Sequence, residues 1–298
     1  MEKVLVIVGP TSVGKTSFGV QVAEELNGEI ISGDSIQVYK GLDIGSAKVT
    51  KEETKGIKHY LIDIKEAKEN YSVKEFQEKG RELISEIKNT NKLPIVVGGT
   101  GLYIKALLYD YKFFEEKEED DQFEEFSNEE LYELLKKEDP VALEKIHVNN
   151  RKRLVRALNV VRKHGIGISG IKANQEHKPI YDIKLIGLTK NKEELKESIN
   201  QRVDQMIDNG LVEEVKGLLE KGITFENQCM QAIGYKEFKG YFENEKTLDE
   251  VIEEIKANTR HFAKRQYTWF NNQMNIEWFE DKEKALGSIR EWHEKISG

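Results

Sequence analysis

A single cysteine, Cys229, among 298 residues leaves no partner for an intrachain disulfide and no cysteine-built zinc site. A reducing cytoplasm is the compartment this scarcity predicts. Long apolar runs are missing too. The first strand-like run, residues 4–8, stops at Gly9-Pro10, too short for the core of a signal peptide, and no later run approaches membrane-spanning length. The histidines (His59, His147, His164, His177, His261 and His293) are scattered, with no H-E-x-x-H and none at metal-ligand spacing from the cysteine. There is no G-x-S-x-G elbow either. Hydrolytic zinc chemistry and Ser–His–Asp chemistry are therefore disfavoured.

Positive charge is in deficit. The net charge of -8 argues weakly against nucleic acid as a partner, but the charge is unevenly spread. Residues 115–139 carry thirteen Asp or Glu against three Lys, whereas residues 148–164 carry six Arg or Lys and no carboxylate. Such polarity permits a basic binding face on an acidic protein, and it equally fits two solvated helix faces. With 38% apolar and 34% charged residues the chain is polar without the signature of general disorder. Its length allows one large core, or a core with a smaller module.

The pattern along the chain points to an α/β fold. Residues 4–8, 29–32, 95–97 and 181–188 read as short buried strands, with 59–62 as a further candidate. Helices are expected from Lys15 to about Asn27, from Ser72 to about Asn89, with Ser72 as N-cap and Glu75 at the capping-box position, and from Leu102 to Leu108. Strands alternating with helices predict a mostly parallel sheet. Residues 110–178 look helical and end in a loop around 165–170; beyond 188 the chain reads as helices with one Gly-rich interruption. The expected organisation is a P-loop NTPase-like core begun by residues 1–109 and completed by 181–298, with 110–180 inserted.

Gly9-Pro10-Thr11-Ser12-Val13-Gly14-Lys15-Thr16 matches G-x-x-x-x-G-K-[ST] between a strand and a helix. Glycines let backbone N–H groups turn in around phosphoryl oxygens, and the helix N-terminus adds a favourable field. Lys15 can reach phosphate oxygens and the Thr16 hydroxyl can ligate Mg²⁺. The strand at 95–97 runs into Gly98-Gly99-Thr100 with no carboxylate, so the acid nearest a strand end is Asp34. Active sites of parallel sheets lie beyond the carboxyl ends of strands, so Asp34 could face the phosphate loop with Ser35, Ile36 and Gln37 beside it, or simply cap its own turn. Gln37 offers a donor and an acceptor to a purine edge. Arg151, Lys152, Arg153, Arg156, Arg162 and Lys163 lie on a helix whose stem is apolar through Leu154, Leu158 and Val161. Arg202, Arg260 and Arg265 are further candidates to neutralise a diphosphate. Phe262, Trp269 and Phe270 are expected to pack in the core.

These blocks together resemble the bacterial-type tRNA dimethylallyltransferases (tRNA isopentenyltransferases). The resemblance rests on the phosphate loop, residues 31–48, Gly98-Gly99-Thr100-Gly101-Leu102-Tyr103, residues 153–158, residues 231–237 and residues 263–270, in order along nearly the whole chain. It implies transfer of a dimethylallyl group from dimethylallyl diphosphate to N6 of adenosine 37 in tRNAs reading codons that begin with U. Asp34 would be the general base, with Thr100 guarding the channel and Arg202 on the diphosphate. Gly9, Thr11, Ser12, Val13, Gly14, Lys15 and Thr16 would form the diphosphate site, with Thr16 on Mg²⁺. Asp34, Ser35, Ile36, Gln37 and Thr100, with Lys152, Arg153, Leu154, Val155 and Arg156, would meet the tRNA, the inserted helical domain gripping the anticodon stem-loop. No membrane contact is expected, and the chain is expected to act as a monomer. Val148 and Asn150 replace a proline and an acid common before the basic helix, Gly33 replaces a common alanine, and Asn271 a common arginine. Two other readings of the residues are a small-molecule kinase using ATP and a non-catalytic RNA-binding protein.

Overall fold

A computed structural model describes residues 1–113, 123–165, 167 and 178–295. They fall into two compact units, residues 1–108 with 179–298 and residues 109–178. The expected loop at 165–170 and the acidic run at 115–122 lie largely outside the described residues.

The larger unit is built on six strands, all paired in parallel: β1 (Lys3–Val8), β2 (Gly28–Ser32), β3 (His59–Tyr60), β4 (Leu93–Val97), β5 (Asp182–Leu188) and β6 (Glu277–Phe279). Their order across the sheet is β3-β2-β4-β1-β5-β6. Because β1, β2 and β4 are covered on both faces, they read in sequence as continuous apolar runs rather than alternations. One face packs Leu5, Ile7, Ile30, Ile95 and Ile186 against α1 (Lys15–Glu25) and the C-terminal helix Lys282–Glu294. α2 (Val73–Asn89) and α3 (Gly101–Leu108) pair with one another, Phe76 stacking on Tyr103 at 4.6 Å. β6 was not apparent in the sequence, where residues beyond 188 read as helical. It is a three-residue parallel edge strand held by β5, too short to show alternation.

Ser72 caps α2 as expected, its hydroxyl accepting from the Glu75 N–H, but the Glu75 carboxylate turns to Lys65 and Lys79, both at 3.0 Å, instead of closing a capping box. A long helix, Leu248–Gln273, crosses near α3. The approach is possible because residue 101 is glycine. A β-carbon there would lie 2.1 Å from the Trp269 ring, inside any real contact distance.

The smaller unit holds the helices Asn128–Glu138 and Arg151–His164 around Phe123, Leu131, Leu135, Leu154, Ala157 and Leu158. Asn150 serves as the N-cap of the second helix, accepting from the Arg153 N–H, so the amide fills the place of the family's acid. Among the described residues no helix is long and apolar enough to cross a membrane.

Overpacking of this kind typically costs about 1–3 kcal/mol, so Gly101→Ala is expected to lower unfolding free energy by about that much, as chemical denaturation would measure.

Candidate active site

The sheet order lines up three loops on one rim. Its neighbours β2, β4 and β1 end in residues 33–37, 98–100 and 9–14, and short backbone bonds carry the pairing beyond the strands: Gly33 N–H donates to Val97 O at 2.8 Å and Gly98 N–H to Ile7 O at 3.1 Å. Thr100 therefore rises between the loop bearing Asp34 and the loop bearing Lys15. All three residues line one cavity of about 770 Å³.

The phosphate loop has the backbone its sequence demands. Gly9 and Gly14 take φ of 145° and 84°, and Gly14 leaves the first turn of α1 without a side-chain cap. Thr11, Ser12, Gly14, Lys15 and Thr16 line the cavity. Val13 instead buries its side chain in the core, so its part in an anion cradle is a backbone one. The Ser12 hydroxyl is buried and has no partner among the described residues. Lys15 donates to Pro10 O at 2.7 Å, and its pKa falls to about 7, chiefly through burial and then through Arg202, with Asp34 opposing. Arg202 projects from the helix Lys192–Asp208 into the same cavity. Burial lowers its pKa as well, while Asp34 and Glu53 raise it. Among the described residues no hydrogen bond or ion pair engages its guanidinium. Two enclosed cations thus share the nearby charge of Asp34.

Asp34 fulfils both readings of its position. Its Oδ1 accepts from Ile36 N–H at 2.8 Å and Gln37 N–H at 3.3 Å, closing the turn, while among the described residues no protein donor reaches Oδ2. Ser35 and Ile36 also line the cavity. Gln37 departs from the expected free donor and acceptor. Its Nε2 donates to Ser46 O and Ala47 O at 3.3 and 3.2 Å, and its Oε1 accepts from Ser32 Oγ at 3.0 Å.

Other expectations need correction. Leu154 is fully buried in the smaller unit, so its side chain faces no RNA. Arg151 is spent on the carbonyls of Phe123, Glu124 and Phe126, and Arg162 lies over Phe123 and pairs with Glu138. Lys152, Arg153 and Arg156 remain exposed, and Val155 is half-buried against the core. Arg260 bonds Asn200 at 2.7 Å. Phe262, expected in the core, is exposed and lines the cavity beside Arg265; Trp269 lies against Gly101, and only Phe270 is fully buried. Asn271 accepts from Trp278 Nε1 at 2.8 Å, a contact within the protein.

One site residue escaped the sequence reading. Gln266 is buried on the long helix, with Oε1 accepting from Thr11 N–H at 2.9 Å and Nε2 donating to Gly99 O at 3.0 Å. It ties the phosphate loop to the Thr100 turn. Its only sequence signal was its place in the block 263–270.

Comparison with known proteins agrees with this geometry. The family model described as IPP transferase matches residues 37–273. This chain belongs to that family. The transferase is 53% identical to the tRNA dimethylallyltransferase of Anoxybacillus flavithermus, over 94% of this chain and 90% of that one. A crystal structure of the tRNA isopentenylpyrophosphate transferase of Bacillus halodurans superposes with a TM-score of 0.77 at 40% identity, covering 99% of this chain and 98% of the other. A eukaryotic dimethylallyltransferase acting on tRNA gives 0.82 at 30% identity, over 98% of this chain and 78% of its own. The chain is thus an enzyme that transfers a prenyl group to tRNA, and membership implies a divalent cation in handling the diphosphate. Among the described residues no group of three or more His, Cys, Asp or Glu is gathered to hold a metal.

Two measurements test the site. A diphosphate seated against Lys15 raises its pKa, so binding of dimethylallyl diphosphate at about pH 8 should take up about one proton and weaken as pH rises above 7. Calorimetry in buffers of different ionisation enthalpy should find the uptake, and Lys15→Met should remove it. Gln266→Leu strands Thr11 N–H and Gly99 O at a cost of about 1–3 kcal/mol, and should raise the KM for dimethylallyl diphosphate about tenfold in steady-state assays.

Proposed function

We propose that this chain transfers the dimethylallyl group of dimethylallyl diphosphate to N6 of adenosine 37 in tRNAs that read codons beginning with U. One observation carries the reading: Asp34 shares a single cavity with Lys15 and Arg202, and its charge acts on both. An anion cradle and a proton acceptor then face one passage, with Thr100 between them.

The allylic C–O bond breaks with its electron pair passing to the diphosphate, where Lys15, Arg202 and the N–H groups of the phosphate loop neutralise the charge. N6 forms the new C–N bond and its proton goes to Asp34. Since Oδ1 is held by two backbone amides, Oδ2 is the oxygen that receives it. Ile199, Val203 and Met206 share the helix face of Arg202 and, with Ile255, give the cavity an apolar wall. Such a wall keeps water from the allylic carbon.

The donor chemistry fits Mg²⁺. That ion keeps several waters and takes phosphate oxygens, so it needs few protein ligands. The Thr16 hydroxyl, exposed on the first turn of α1 and lining the cavity, would hold it. When bound, the ion supplies charge neutralisation at the leaving diphosphate. The smaller unit is the natural grip for the anticodon stem-loop, with Lys152, Arg153 and Arg156 exposed for phosphate contacts. The enzyme works as a monomer in the cytoplasm, where the buried Cys229 stays reduced.

Asp34→Asn preserves the turn through its amide oxygen and removes the base. Transfer of label from dimethylallyl diphosphate to N6 of a stem-loop should fall by about 10²- to 10⁴-fold, with RNA and diphosphate affinities nearly unchanged. Equal loss of binding and turnover would make Asp34 a folding residue.

A further inference from the structure

The residues that hold Gln37 are themselves held from far along the chain. Its amide nitrogen faces the Ser46 and Ala47 carbonyls, which can only accept, so the orientation of the amide is forced. Ser32 occupies one lone pair of the oxygen. What Gln37 leaves toward the cavity is one acceptor lone pair and no donor.

Residues 43–47 form the strap that imposes this. Glu214, on the helix Leu211–Glu220, accepts through Oε2 from Asp43 N–H at 2.9 Å and Ile44 N–H at 2.7 Å. Its Oε1 accepts from Gly45 N–H at 3.2 Å and from the Tyr235 hydroxyl at 2.7 Å. One carboxylate thus gathers three successive backbone amides, a concave array that would otherwise attract an external anion. Tyr235 is fully buried with its ring against Gly45, where a β-carbon would lie 2.5 Å from the ring. Burial, followed by the charge of Glu214 and their hydrogen bond, pushes the phenol pKa up, so it remains a donor. Lys48 secures the far end of the strap to Tyr39 O at 2.8 Å, with Asp43 at 2.6 Å and Asp63 at 2.5 Å. Gly45, Ser46 and Ala47 then form part of the cavity wall.

We propose that Glu214 and Tyr235 are positioning residues for the acceptor base: they fix the strap, and the strap makes Gln37 an acceptor-only contact that favours a base bearing an exocyclic amine over one bearing a carbonyl. The inference rests on the tRNA-adenosine reading of the site. A carbonyl set against the Gln37 oxygen leaves two acceptors facing each other, which disfavours that base by on the order of 10- to 100-fold.

The test compares wild type, Glu214→Gln and Tyr235→Phe. The probes are anticodon stem-loops carrying adenine or hypoxanthine at the target position, the second as a competitive binder, together with dimethylallyl diphosphate. Wild type should alkylate the adenine loop and prefer it over the hypoxanthine loop about 10- to 100-fold. Glu214→Gln should lower kcat/KM for the RNA by about tenfold or more, leave the KM for dimethylallyl diphosphate within about twofold, and erode the preference toward unity. Tyr235→Phe, which removes one oxygen from a packed site, should move the same quantities less. A loss in which RNA and diphosphate parameters decline together with the preference intact would reduce Glu214 to a support of the fold and overturn the proposal. So would a wild-type enzyme that alkylates normally without preferring adenine. Failure of wild type to alkylate any loop would instead overturn the function on which the inference rests.

Discussion

The parallel pairing of β2 with β4 and of β4 with β1 is the constraint on which the site depends. Each strand ends at the same rim, so the loop that follows each one is delivered beside its neighbour without any long-range design of the loops themselves. β4 lies between the other two, and so the turn carrying Thr100 separates a carboxylate from an anion cradle. The strand order also reverses here, since the chain leaves β1 toward β2 on one side and later returns past it to β5 on the other. Crevices at such reversals are where open α/β sheets place their ligands.

The electrostatics follow from enclosure. Burial lowers the pKa of both Lys15 and Arg202, Arg202 lowers that of Lys15 further, and Asp34 opposes the shift at each. Like charges held together with no direct carboxylate partner among the described residues store an unfavourable energy that a multiply charged anion relieves on arrival. As the allylic bond breaks, negative charge accumulates on the group these cations face. The field is therefore set in place before the reaction begins, in a cavity walled on one side by aliphatic side chains.

Much of the fold was legible because buried parallel strands announce themselves as short apolar runs bounded by glycine. β1, β2, β4 and β5 were readable in that way, and the phosphate loop carries its own spacing. β6 was not, because three residues at an edge have no periodicity and owe their conformation to β5. At the site, Asp34 could be located from a strand end and Lys15 from the phosphate-loop motif, whereas Thr100 entered only through the family resemblance. The partners of polar side chains could not. That the Gln37 amide is spent on Ser46 and Ala47, that Arg151 serves three carbonyls, and that Gln266 spans two loops are all set by neighbours distant in sequence. The exposure of Phe262 and the burial of Leu154 depend likewise on which helix face meets a core. Composition and spacing carry no record of that choice.

Gln266 also bears on the order in which the molecule can be completed. The amide that braces this loop is made 255 residues after it. β1 must similarly await β5 for one of its two neighbours. A ribosome-bound chain therefore holds the phosphate loop long before it holds the part that shapes it. The loop takes its braced form only when the helix Leu248–Gln273 docks.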